Sequence, residues 1–190
     1  MTRRIPLLPP SRLDEPQRAV YDAVAGGPRA QGVQHFALTD ADGALRGPFN
    51  AFLLQPAVGG ALQELGAAIR YRGLLSDRER EIAILLVAAH ADSAFERESH
   101  EAIARGIGFT DDELRALRNS GPDGFAGREA SVAVVTAALL GGDLDDDAWA
   151  HAERDLGAAI VFELTTLVGY YSTLAMQLRV FRAEDYGFTP

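Results

Sequence analysis

Glu96 and His100 stand four residues apart in the stretch SAFERESH, residues 93–100. At helical spacing this sets a carboxylate and an imidazole one turn apart, where they can exchange a proton and shift each other's pKa. Glu81 is the last carboxylate before the apolar run IAILLVAA (82–89), which makes it the acidic group of its helix expected to be half-buried. Groups of this kind suit general acid–base chemistry.

Each group also has a plainer reading. Ser93-x-x-Glu96 is a capping box, in which the Glu reaches back to the start of its own helix. Glu81 could, with Asp77 and Glu79, complement the positive end of a helix dipole. At this level both readings stand. His90 falls at a helix C-terminus and reads as structural, while His35 and His151 have no predicted companions. Glu163 is the single charge within an apolar helix, so a buried partner is expected for it.

Metal and nucleotide chemistry find little support. There is no HExxH, and the Glu96–His100 spacing is i, i+4, unlike the i, i+3 Glu-x-x-His of carboxylate-bridged bundles. GxGxxG and P-loop patterns are absent. No metal and no cofactor is therefore expected.

The elements that would carry these groups are helical. At 100° steps, Glu96, His100, Ile103 and Ile107 share an arc of about 60°, with Arg97, Glu98, Glu101 and Arg105 on an opposite, solvated face. In DREREIAILLVAAH (77–90) every charge except His90 lies in the first turn, which predicts a central, buried helix. Three capping boxes, Ser76-x-x-Glu79, Ser93-x-x-Glu96 and Thr110-x-x-Glu113, predict helix starts near 77, 94 and 111. Gly108 is a natural stop for the middle helix. Further helices are expected over 15–25, over PFNAFLLQ, from Pro56 to near Arg72, over 128–140, around Trp149 and over 158–182. Residues 26–47 read as a long loop, functional or partner-contacting, and GPDGFAG (121–127) as a turn. The expectation is an all-α, single-domain bundle of about eight helices spanning 1–190.

Composition narrows the partners. With 47% hydrophobic and 24% charged residues the chain has the makeup of a globular domain. A net charge of −9 with no Lys/Arg-rich run argues against nucleic acid. The absence of cysteine excludes a disulfide framework, a thiolate metal site and a thiol nucleophile, and fits the cytoplasm. The N-terminus is too rich in proline for a signal-peptide core. Residues 159–178 are long enough to span a bilayer, but Glu163, Gly169 and several hydroxyls point to a buried helix, so no membrane partner is expected.

The order Gly47-Pro48-Phe49-Asn50, Pro56, Arg80-Glu81, Phe95-Glu96, His100 and Gly108 resembles the carboxymuconolactone decarboxylase family, which includes alkylhydroperoxidase D-like proteins. The likeness is strongest over 47–118; the N-terminal helix and loop (1–47) and the C-terminal helices (128–182) flank that core. In the peroxidase branch the resemblance sets a relay Glu on Glu81, the His on His100, and the two thiols on Ser93 and Glu96. Neither of these can form a sulfenic acid or a disulfide, so thiol peroxidase chemistry is closed to this chain. The cysteine-free branch, with an aromatic-Glu-Trp-x-x-His pattern, is the nearer likeness: Phe95, Glu96 and His100 match, and Arg97 replaces the Trp.

The resemblance implies an all-α subunit assembling into trimers or hexamers and acting on a small carboxylate or lactone without a cofactor. His100 would be the general acid/base, Glu96 would orient it, and Glu81 would be a second proton-transfer group. Arg80 is the first candidate to hold an anionic substrate, ahead of Arg70 and Arg72. A non-catalytic binding or scaffold protein with the same fold is the alternative.

Overall fold

The computed structural model describes residues 3–31, 35–119, 121 and 124–183. Among these it contains nine α-helices, no strand ladder and one isolated β-bridge, Thr39 to Leu45. The chain divides into two compact units, Met1–Tyr71 with Met176–Pro190, and Arg72–Ala175.

In the first unit α1 (Glu15–Ala25) opens on a capping box: Asp14 accepts from the Gln17 amide, and the Gln17 side chain accepts from the Asp14 amide. Helices α2 (Pro48–Phe52) and α3 (Pro56–Arg72) follow, each starting on a proline whose missing N–H would have no partner in a first turn. They meet at Gly59, which lies directly against the backbone of Phe52. The segment read as an open loop is partly built. A 3₁₀ turn spans Pro28–Ala30, and Asp40 closes a turn by accepting from the Asp42 and Ala44 amides. Tyr21 donates to the Gly43 carbonyl at 2.9 Å, and Leu38, Ala44 and Leu45 are buried. Residues 32–34 lie outside the described set.

In the second unit α4 (Asp77–His90) is the central rod, with α5 (Ala94–Gly106), α6 (Asp111–Arg118) and α7 (Gly127–Leu140) packed against it. Residues 79 to 88 of α4 are all buried, as an apolar run without a polar face requires. Two of the expected capping boxes form, at Ser76–Glu79 and Thr110–Glu113. α8 (Asp146–Asp155) packs on α7, and α9 (Ala158–Phe181) begins in this unit, where Leu164 and Leu167 are wholly buried. By length and composition α9 could cross a membrane, yet half of its most apolar window is buried within the protein. Glu163 finds its partners in backbone: it accepts from the Leu74 amide at 2.6 Å and from that of Leu75 at 3.4 Å. It therefore pins the turn before α4.

The solvated face expected on α5 needs one correction. Glu101 is buried, and Arg118 of α6 clamps its carboxylate with two bonds of 2.5 Å. A second clamp ties three helix starts together. Arg78 donates to Glu129 at 2.7 Å and to Glu113 at 2.6 Å, and its guanidinium lies 4.1 Å from the centre of the Phe109 ring.

Burial alone would raise the Glu113 carboxyl. Bonds from the Thr110 amide, from Arg78 and from the Thr110 hydroxyl outweigh it and hold the group below its ordinary 4.5. The unfolded chain thus binds more protons near that pH. The stabilisation is complete above 4.5 and fades as pH falls through the lower folded value. Glu113→Gln is expected to cost about 1–2 kcal/mol at neutral pH. That deficit should shrink toward zero as the pH falls through the lowered folded value, as followed by urea unfolding across pH. A deficit independent of pH would remove the ionised carboxylate from the account.

Candidate active site

The turn between α4 and α5 decides where the candidate groups point. Asp92 takes a left-handed conformation, φ 49°, and the Ser93 amide donates to the Ala88 carbonyl at 2.9 Å. This closes α4 in a Schellman motif. A capping box at Ser93 would need that same amide for Glu96, so the box cannot form. Ser93 does start α5, but without a side-chain cap bond. The capping explanation for Glu96 is thereby overturned. Glu96 is instead a buried residue of α5 facing inward with His100.

His100 does not take Glu96 as its hydrogen-bond partner. Its Nδ1 lies 2.6 Å from Oε2 of Glu81, across the α4–α5 packing. The carboxylate bonded to the ring is therefore that of Glu81, which is completely buried rather than half-buried. A lone carboxylate there would be strongly disfavoured, and its second oxygen, Oε1, has no hydrogen-bond partner among the described residues. Sharing a proton with His100 keeps the pair's net charge small. With Glu81 ionised, Nδ1 donates, and the neutral ring leaves Nε2 as a lone-pair base. Nε2 makes no hydrogen bond among the described residues, and the imidazole keeps 10% of its side-chain exposure.

Tyr171 of α9 stands edge-on to the imidazole at 5.3 Å and 84°, and Tyr170 meets Tyr171 in the same manner. On the same turns of α5, the Ser93 and Ser99 hydroxyls are buried with no hydrogen-bond partner among the described residues.

Arg80 is buried and donates to Asp77 at 2.6 Å, so its charge is already engaged at the start of α4. Arg70 lies over the ring of Tyr71. Among the described residues no group of three or more His, Asp or Glu side chains is disposed to hold a metal ion. A cavity of about 330 Å³ opens between α7 and α8, lined by neither Glu81 nor His100. At its rim His151 and Asp155 sit one helical turn apart on α8, with Ser131 of α7 bonded to Asp155 at 3.4 Å. The spacing in HAERD could have revealed that pair.

An all-α unit with a buried Glu–His pair joining two adjacent helices is the frame in which relatives can be weighed. The carboxymuconolactone decarboxylase family profile matches residues 56–140, which include Glu81, Glu96 and His100. That segment, somewhat under half of the chain, is similar to the family, and the chain contains no cysteine. Among solved structures, an uncharacterised peroxidase-related protein from Ralstonia eutropha JMP134, described as an alkylhydroperoxidase AhpD core, superposes with a TM-score of 0.74 at 12% identity. The match covers 95% of this chain and 90% of that one. A protein of unknown function from Agrobacterium tumefaciens, described as a putative antioxidant defence protein AhpD, matches with a TM-score of 0.58 at 20% identity. It covers 70% of this chain and 94% of its own. At these identities the likeness is one of fold. No curated protein matches the chain.

Proposed function

We propose that this protein is an acid–base enzyme acting on a small carboxylate or lactone, with His100 as the proton donor and acceptor. The observation that carries the reading is the buried 2.6 Å bond between His100 Nδ1 and Glu81 Oε2, which leaves Nε2 unbonded. In a decarboxylation the C–C bond to the carboxylate breaks and its electron pair passes into an enolate or dienolate as carbon dioxide leaves. A protonated His100 then delivers the Nε2 proton to the carbanionic carbon, and solvent restores it. Glu81 holds the ring and offsets the imidazolium charge in between. Glu96 and the two unbonded serines line the same stretch of α5. A ring of copies, trimer or hexamer, is the assembly that the family likeness supports, and Phe162, 74% exposed on α9, supplies apolar surface for it.

The test is a screen of carboxylated lactones and β-keto acids against wild type and His100→Ala. Turnover by wild type that collapses in the variant supports the reading; equal rates in both remove His100 from the mechanism. A second reading, a binding protein without chemistry, draws on the α7–α8 cavity lying away from His100. It is favoured if ligands bind and none of the screened compounds turns over.

A further inference from the structure

The groove between α7 and α8 has chemistry of its own. Along α7 it runs from Ala130 and Ser131 past Val134 to Ala138, which is about 12 Å of helix, the span of an extended chain of about eight carbons. Leu144 and Ala148 close the apolar end, and Ser131, His151 and Asp155 form the polar end. A volume of about 330 Å³ lies at the low end of ligand-sized cavities.

The polar end is made of acceptors. His151 Nδ1 lies 2.6 Å from the Asp147 carbonyl, which can only accept, so that nitrogen donates and Nε2 is the ring position left for a ligand. The Ser131 hydroxyl has its hydrogen within reach of the Gly127 carbonyl and of Asp155, both at 3.4 Å. Bonds from Arg154, at 2.8 and 3.1 Å, hold the Asp155 carboxyl below its ordinary range, so it is an anion at neutral pH. Asp155 is also the last residue of α8, where the helix dipole adds partial negative charge.

We propose that this groove binds a medium-chain primary ammonium compound. Its alkyl chain lies along Val134, Ala138 and Leu144, and its ammonium donates to Asp155 and His151. An alcohol head would supply one donor and no charge, and a carboxylate head would meet an anion. The Arg154–Asp155 pair does not bar the site, because Arg154 is 63% exposed and an ion pair in water is weakly held. The chain's net charge of −9 favours a cation further.

Trp149, the single tryptophan of the chain, lies on α8 next to the groove-lining Ala148, and its fluorescence is followed beside the heat of binding. The full-length protein is titrated with octylammonium, octan-1-ol and octanoate at constant ionic strength, below micelle formation. Octylammonium is expected to give a saturable change and octanol to bind about tenfold more weakly, the effect of a charge-assisted hydrogen bond. Octanoate should bind more weakly still. Asp155→Asn should bring octylammonium down to the octanol level, and Ala138→Phe should abolish the response with the helical circular dichroism unchanged. Equal affinity for the three heads, or undiminished binding by Asp155→Asn, overturns the proposal. If Ala138→Phe fails to fold, Asp155→Asn alone decides. Light scattering is run beside the titration. A change of assembly mass in a folded Ala138→Phe would show that a second copy covers the groove, and would also overturn the proposal.

Discussion

Glu81→Gln is expected to lower turnover by about 10²–10⁴-fold, close to the loss for His100→Ala, while leaving the fold intact. Glutamine keeps the size of the side chain, but its amide can donate to Nδ1 where the carboxylate only accepts. The neutral ring then carries its proton on Nε2, the wrong nitrogen for a base facing substrate. Nor does the amide offset the charge of an imidazolium. Stability should be retained or rise, because a buried charge is removed without a cavity. The measurement is the pH profile of kcat and kcat/KM for wild type, Glu81→Gln and Glu81→Asp on whichever substrate the screen returns. Loss of activity at unchanged stability marks Glu81 as a positioning residue. Wild-type turnover in Glu81→Gln would show that the pair with His100 is only structural.

The second large effect concerns packing, and two neighbouring glycines should respond with opposite signs. A Cβ at Gly59 would lie 2.2 Å from the Phe52 carbonyl oxygen and 2.7 Å from its carbonyl carbon, all of it backbone. α2 and α3 would have to separate, and Gly59→Ala is expected to cost about 3 kcal/mol or more. A Cβ at Gly60 meets only the Val20 methyl at 3.7 Å, an ordinary contact. There alanine should stabilise by about 0.5–1 kcal/mol, since glycine is a poor helix residue. Urea unfolding midpoints at constant m-value read both. A Gly59→Ala protein within 1 kcal/mol of wild type would mean that α2 and α3 do not need their close approach.

The residues that could be read correctly from sequence are those governed by local rules. Proline at first turns, the boxes at Ser76 and Thr110, and the charge-free run of α4 concern neighbours within one helix turn, and the helices start where these rules set them. The inward stripe of α5 is legible for the same reason. Ser93 fails as a capping box through a bond from outside its own helix: its amide already serves Ala88, the end of the previous element. Glu101 fails for a like cause, since Arg118 reaches it from another helix. The Glu81–His100 bond joins residues from two helices. Periodicity could say that each faces inward, but not that they meet. The family likeness paired them by position, and the geometry supplies the bond.

The turn at residues 91–93 has a consequence for how this chain can vary. Three residues separate α4 from α5, with Asp92 left-handed and the Ser93 amide tied to Ala88. One residue inserted there would turn α5 by about 100° about its axis and carry His100 off Glu81. The connection therefore acts as a register key: its length is part of the site. An insertion or deletion here should therefore cost turnover more than helical content.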